Sequence, residues 1–295
     1  MAKRNMNEKQ GLPEKIRVSV GSAIVLGLLK GKQDAAPTTV YMLTYRKEKC
    51  LANCGFCPQA RTSTSRADML SRVTWPSFRT QKVINSIAKA TKGGSVQRVC
   101  IQAINYPNVF SNLLALAANI EAQAKVPLSV SCPPFSEEEM GELHKAGVER
   151  ISVALDTATS TLFEEVKGAR AHSSYSWEKH RKALEQAVRV FGRNSVSTHI
   201  IIGLGENEKQ LAEIMQWCVD MGIRPSLFAF TPIPGTVLEN RLQPKLAIYR
   251  RAQLARYFVI HGKTRVENMQ FDSEGRIVDY GVSQFMLEEA LEQGN

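Results

Sequence analysis

No apolar run in this chain approaches the about 20 residues that a membrane-crossing helix requires. The longest, residues 23–29, is short and has Gly27 inside it. The N-terminus is basic, yet it lacks the apolar stretch and cleavage site of a secretory signal. Both absences point to a cytoplasmic location, where thiols stay reduced. The six cysteines in 295 residues are therefore expected to be metal ligands or buried small hydrophobes, not a disulfide scaffold. Histidine is scarce as well. Of five, His144, His172, His180 and His261 fall without ligand spacing, and His199 alone sits on a strand near a site, where core packing competes with ligation. Internal repeats and low-complexity tracts are absent. So is any basic stripe interleaved with aromatics: the net charge of +10 is spread along the chain, often beside glutamates, as at Glu178-Lys179 and Glu208-Lys209. Neither a nucleic-acid nor a membrane partner is expected on that pattern. A diffuse positive field suits an acidic protein partner.

What is present is concentrated in one stretch, Lys49-Cys50-Leu51-Ala52-Asn53-Cys54-Gly55-Phe56-Cys57-Pro58-Gln59. The spacing is Cys-x3-Cys-x2-Cys, with no fourth cysteine or histidine nearby. Structural zinc normally takes four protein ligands in two pairs. A cubane iron–sulfur cluster held by three thiolates keeps one iron open to a substrate or cofactor. The open-iron reading fits the loop better.

Around the loop the chain alternates. Extended apolar runs at 40–44, 96–102, 128–132, 151–155, 196–202, 226–230 and 266–271 are expected strands, and 78–90, 110–124, 136–146, 177–191, 208–221 and 246–261 have helical periodicity. Ser136-Glu137-Glu138-Glu139 reads as a capping box and Ala146-Gly147 as a stop. Strands alternating with helices predict an α/β fold, a partial or nearly closed parallel (β/α) barrel. One such barrel needs about 250 residues. The expected organisation is a leader with a short apolar segment over 1–38 and a barrel with a C-terminal extension over 39–295. In a parallel barrel the chemistry lies where strand C-termini meet their loops, and the three-cysteine loop follows the first clear strand. Cys100 and Cys132 fall at the ends of the second and third strands, as ligands of one metal site or as buried hydrophobes. Cys218, among Leu211, Ile214 and Met215, reads as packing. Tyr41, Gln59 and Arg61 either line the cluster region or serve the structure.

The three-cysteine spacing, with Phe56 before the third cysteine, resembles the radical S-adenosylmethionine (SAM) enzymes, and Cys57-Pro58-Gln59 resembles their biotin synthase branch. The resemblance covers about residues 15–285. It implies the radical SAM type of barrel, with a [4Fe-4S] cluster on Cys50, Cys54 and Cys57 whose open iron chelates SAM. Reductive cleavage would then give a 5′-deoxyadenosyl radical. Ala154-Leu155-Asp156-Thr157 is similar to that branch's Asn-Leu-Asp-Thr, which implies a ribose contact for Asp156; Ala154 in place of asparagine implies a different substrate. Ile202-Gly203-Leu204-Gly205-Glu206 resembles backbone support for adenine, and 228–236, with Pro232, resembles the loop over it. Gln102-Ala103 stands where many relatives have Gly-Gly-Glu. The implied SAM-binding residues are Phe56, Gln102, Asp156, Gly203, Leu204, Gly205 and Pro232. A second, sulfur-donating iron–sulfur cluster is implied on Cys100 and Cys132, with Ser197 at a third ligand position and Thr198 or His199 as substitutes.

The strings 56–61, 70–76, 228–232 and 267–271 further resemble lipoyl synthases built from two components. That likeness implies a sulfurtransferase acting at C6 or C8 of an octanoyl chain on a lipoyl-carrier protein or domain. Its partners would be a homologous second synthase component and a reductant protein. The rival readings are an isomerase or maturase of the same branch without sulfur donation, and a non-catalytic, metal-stabilised binding module.

Overall fold

The computed structural model describes residues 11–292. In chain order, β1 (Lys15–Val18) and α1 (Val20–Val25) precede β2 (Thr39–Thr44). The small strands β3 (Met69–Leu70), β4 (Val73–Thr74) and β5 (Ser77–Arg79) follow, then α2 (Thr80–Lys92). Strand and helix alternate through β6 (Arg98–Gln102), α3 (Val109–Ala124), β7 (Leu128–Ser131), α4 (Glu137–Lys145) and β8 (Val148–Ser152). Next come α5 (Ser160–Val166), α6 (Trp177–Phe191), β9 (Val196–Ile202), α7 (Glu208–Met221), β10 (Ile223–Ala229) and α8 (Leu246–Ile260). The hairpin β11 (Gln270–Phe271) and β12 (Ile277–Asp279), with α9 (Gln284–Glu292), completes the described chain.

Eight strands form one sheet in the order β10-β9-β8-β7-β6-β2-β1-β5. The six from β10 to β2 run parallel, while β1 and β5 are antiparallel additions. β10 and β5 are its two edges, so the barrel is partial. The expected strand at 266–271 is not part of it. Glu267 and Asn268 interrupt its apolar pattern; a 3-10 turn forms at Val266–Asn268, and Gln270–Phe271 pairs in the separate hairpin. The stretch expected as a leader supplies β1, which pairs with β2; residues 1–10 of that expected segment, and 293–295, lie outside the described residues. β8 begins at Val148, earlier than the apolar run suggests, and ends at Ser152; beyond it Asp156, with a left-handed φ of 67°, makes an isolated parallel bridge to Ile200.

Parallel strands covered on both faces usually read as continuous apolar runs. Here they alternate. On β9, Val196, Thr198, Ile200 and Ile202 are fully buried, whereas Ser197, His199 and Ile201 are half-buried. On β6, Val99 and Ile101 are fully buried, and Arg98, Cys100 and Gln102 are not. The first set packs into the main core with the helices, among them Leu113, Leu116, Leu184, Leu211 and Met215. The second set lines the lumen. A sheet that gives one face to packing leaves the other for chemistry. The helices start where their caps dictate: Ser136 and Glu139 exchange hydrogen bonds of 2.9 and 3.2 Å at the head of α4, as their spacing predicts.

His180 on α6 shows how dry the packing beneath the barrel mouth is. Its ring lies 4.9 Å from Phe163 and 4.7 Å from Tyr175, and burial, with Lys167 nearby, drives its pKa down to about 2 against a hydrogen bond from its Nδ1 to Ser176 O that opposes the shift. The unfolded chain takes that proton near 6.5. His180 therefore contributes full stability above about pH 6.5, and the contribution is lost as pH falls from there towards 2. In urea titrations between pH 7 and pH 4, His180→Phe should flatten the acid loss of unfolding free energy; a slope equal to the parent's would show that His180 does not drive it.

Candidate functional site

The three-cysteine loop is held by its backbone. Cys50 N–H donates to Gln59 O at 2.9 Å, Cys57 N–H to Cys54 O at 3.0 Å, and Arg61 N–H to Ala52 O at 2.9 Å. Three other loops grip it from outside. Leu51 N–H reaches Asn105 O at 2.8 Å, Gly55 N–H reaches Val166 O at 2.7 Å, and Leu238 N–H reaches Gly55 O at 3.0 Å. Side chains reinforce the grip: the Asn53 amide donates to Ala171 O at 2.8 Å, and the Lys49 ammonium to Pro58 O and Ser65 O, both at 2.6 Å. Gln59 donates to Ala67 O at 2.8 Å and Met69 O at 2.5 Å, a structural role, and Arg61 to His172 O at 2.6 Å. The loop's conformation is thus held by hydrogen bonds from several separate segments of the fold.

The donor set fits a cubane. Burial pushes all three thiols up, Cys57 to about 12, and the thiols raise one another wherever two share the field. Two features counter that and favour thiolates. Asn105 N–H donates to Cys50 Sγ at 3.1 Å, and the Lys167 ammonium lowers all three. Cys50 is 9% exposed, while Cys54 and Cys57 remain half-buried and reachable. Among the described residues no three His, Cys, Asp or Glu side chains converge on a single ion. A cubane does not ask that of them, since its thiolates bind separate irons.

Lys167 is the residue that sequence reading missed. Its Nζ donates to Asp156 Oδ2 at 2.6 Å and to Ala154 O at 2.5 Å, with the side chains 5% and 10% exposed. The ammonium also lies 5.6 Å from the Phe163 ring and 5.5 Å from the Tyr175 ring. Burial alone would lower its pKa; Asp156 first, then the thiols of Cys54 and Cys57, hold it above the ordinary value. Lys167 follows α5 directly, where a lone lysine reads as a routine cation at a helix C-terminus. Nothing local distinguishes it. The same holds for Tyr175, whose hydroxyl burial pushes up first, and then Cys54 and Cys50.

Most of the residues expected to bind SAM gather around this centre. Phe56 packs against Val166, Leu204 and Phe230, so the cysteine loop and the Gly203-Leu204-Gly205 turn share a hydrophobic contact. Gly203 and Gly205 have φ of 105° and 124°, and a Cβ on Gly203 would meet Pro244 at 2.9 Å. Only glycine suits that turn. Its N–H groups are engaged: Gly203 and Leu204 donate to the Glu206 carboxylate at 2.6 and 3.1 Å, and Arg241 donates to Leu204 O. Pro232 lies on a loop tied to the cysteine loop through Thr64 N–H and Gly235 O at 2.9 Å. Gln102 stands on the luminal face of β6, its amide 3.4 Å from Cys100 Sγ. His199 lies 5.0 Å from the Phe228 ring, and burial lowers its pKa.

Of the expected auxiliary ligands Cys100, Cys132 and Ser197, the first and last stand three strands apart, on β6 and β9. Cys100 is level with Ser129 of β7, and Ser197 with Ser152, Ser131 and Gln102, one tier higher. Cys132 follows β7 directly, and its N–H donates to Ser152 O at 3.0 Å. It is buried in the main core, and its charge neighbours are Glu139 and Tyr175. Thr198, a fallback ligand, is buried and hydrogen-bonded to Val153 O at 2.8 Å. Cys218 is fully buried in the core, as expected.

Residues 46–218 match the profile of the Radical SAM superfamily. The chain belongs to that superfamily, whose membership carries a [4Fe-4S] cluster and SAM as cofactors, and its curated relatives are biotin synthases. The biotin synthase of Salinispora tropica is 26% identical over 195 residues, which are 65% of this chain and 55% of that protein. The chain thus spans about half the length of that relative. Among solved structures, methylornithine synthase (PylB) superposes with a TM-score of 0.59 at 15% identity, covering 76% of this chain and 62% of that one. The FeFe-hydrogenase maturase HydG from Carboxydothermus hydrogenoformans gives 0.57 at 14% identity, covering 92% and 69%. Both likenesses establish the fold: the partial parallel barrel of radical SAM proteins. No helix among the described residues is long and apolar enough to cross a membrane.

Removing one member of a buried ion pair strands the other charge. Lys167→Met should therefore destabilise the apoprotein by about 3–5 kcal/mol in urea unfolding, and adding Asp156→Leu should recover a large part of it. Loss of less than about 1 kcal/mol in the single variant would mean that water already compensates Asp156.

Proposed function

We propose that this chain inserts sulfur as one component of a two-component lipoyl synthase. Its substrate would be an octanoyl chain on a lipoyl-carrier protein or domain, sulfurated at C6 or C8. A homologous second component would add the other sulfur, and a reductant protein would supply electrons. The observation that carries this reading is Cys100, whose thiol faces the lumen beneath the mouth formed by the three-cysteine loop, in a chain whose curated relatives are biotin synthases. The spread positive charge of +10 is compatible with an acidic carrier.

When bound, the cluster and SAM supply one-electron radical chemistry at an unactivated carbon. The chain's own residues do the rest. Cys50, Cys54 and Cys57 hold the cluster. Phe56 and Leu204 close one apolar wall, and the Gly203–Gly205 turn lets backbone approach the nucleoside. Lys167 fixes Asp156 at the rim. Burial of Tyr175, Phe163 and His180 keeps water from the floor of the mouth.

One observation favours a second reading. Ser197, a hydroxyl three strands from Cys100 where a third thiol is expected, suits an isomerase or maturase that needs no sulfur donor. Iron content after anaerobic reconstitution discriminates the two. The sulfur-insertion reading expects about eight irons per chain, falling to about four in Cys100→Ala and unchanged in Cys218→Ala. A parent value of about four would remove the sulfur-donor reading. Cys54→Ala should abolish formation of 5′-deoxyadenosine from SAM under reduction; if the parent forms none, the enzyme reading falls as well.

A further inference from the structure

The inner face of the barrel carries a tier of hydroxyls that the cysteine loop does not explain, one of which, Ser197, is also an expected auxiliary ligand. Ser131, Ser152 and Ser197 are register partners on β7, β8 and β9. Partners in a parallel sheet project to the same face. That face is the lumen, because the residues one step earlier, Val130, Ile151 and Val196, are buried in the helix-side core. Ser152 is 7% exposed, and its Oγ is buried without any hydrogen-bond partner among the described residues. Withdrawing a hydroxyl from water without a partner is costly. One tier lower the polar groups are satisfied: Ser129 Oγ accepts from Arg98 at 3.0 Å, and Arg98 also pairs with Glu149. The orphan is specific to the serine tier.

We propose that Ser131, Ser152 and Ser197 form a substrate subsite for a carbonyl-type oxygen, an amide carbonyl or a carboxylate. Three neighbouring hydroxyls on adjacent strands offer convergent donors to one acceptor. None of the three carries a charge, so the tier has no carboxylate to neutralise a cation. An alkyl tail lying there would leave Ser152 without a partner, so the oxygen-bearing end of the substrate belongs at this level. Its assignment to the amide that joins an octanoyl chain to a carrier lysine rests on the sulfur-insertion reading; the subsite itself does not. A carboxylate of an amino-acid substrate would present the same chemistry.

The test uses the full chain, reconstituted anaerobically with SAM, and three probes in equilibrium binding. One is a short peptide carrying octanoyl-lysine, the second the same peptide with an octyl-lysine lacking the carbonyl, and the third L-lysine. Ser131→Ala and Ser152→Ala should each weaken the octanoyl peptide about fivefold, the equivalent of one neutral hydrogen bond. Neither should weaken binding of the octyl peptide or of SAM, and neither should lower the unfolding midpoint, which Ser152→Ala should raise by removing an unpartnered hydroxyl. If both peptides fail to bind while L-lysine binds and loses affinity in Ser152→Ala, the subsite stands and the octanoyl reading falls. Equal weakening of both peptides, no weakening of the octanoyl peptide, or no binding of any probe overturns the subsite.

Discussion

The Lys167–Asp156 pair is the constraint on which the site depends. Two opposite charges are held together at 2.6 Å with little access to water. Desolvating them costs several kcal/mol for each ion, and a hydrophobic pair of similar volume would often serve stability equally well. A fold that only needed a filled core had no reason to place them there. The pair sits at the end of β8, and its ammonium shares the field of all three cluster-loop thiols. It gives that loop a fixed positive charge in a dry setting, where electrostatic effects are largest. It also fixes the chain after β8, because the same ammonium holds Ala154 O. From that point α5 leads to Val166 and Ala171, whose carbonyls grip Gly55 and Asn53. Geometry of the ion pair and geometry of the cysteine loop are one mechanical unit.

Much of the barrel was legible because its strands and helices carry strong local signals. The capping box at Ser136 and Glu139 and the apolar runs of β6, β7 and β9 each name their own element. The additions at the sheet edge did not. β1 and β5 are short, and their reason to be extended is a partner strand distant in sequence. At 266–271 the error has the opposite origin: a run with apolar ends looked like a strand, but no sheet edge is offered to it, and it closed a local hairpin.

The site divides in the same way. Cys50, Cys54 and Cys57 announce themselves because all their geometry lies within one loop. Phe56 and the Gly203–Gly205 turn meet as their shared likeness implied, through a packed contact. Lys167 is invisible in the sequence, since its meaning comes from a carboxylate across a loop and thiols more than a hundred residues earlier. Cys100 and Cys132 are harder to read for a related reason. Each sits near a strand end, but Cys132 lies one residue past β7, where strand alternation no longer tells which way a thiol points.

Alternation across one sheet has an evolutionary corollary. The helix-facing side chains of β6 to β9 are methyl-rich and close-packed, so change there is paid in stability. On the lumen side the residues are mostly polar, among them Arg98, Cys100, Gln102, Ser197 and His199, and less tightly packed. Stability and substrate preference are thus encoded on opposite faces of the same strands, in alternating letters. Such a chain can explore new ligands by exchanging hydroxyls, amides and thiols on alternate positions while the next residue along preserves the fold. Families that diversify on this barrel have a physical route for doing so without passing through unfolded intermediates.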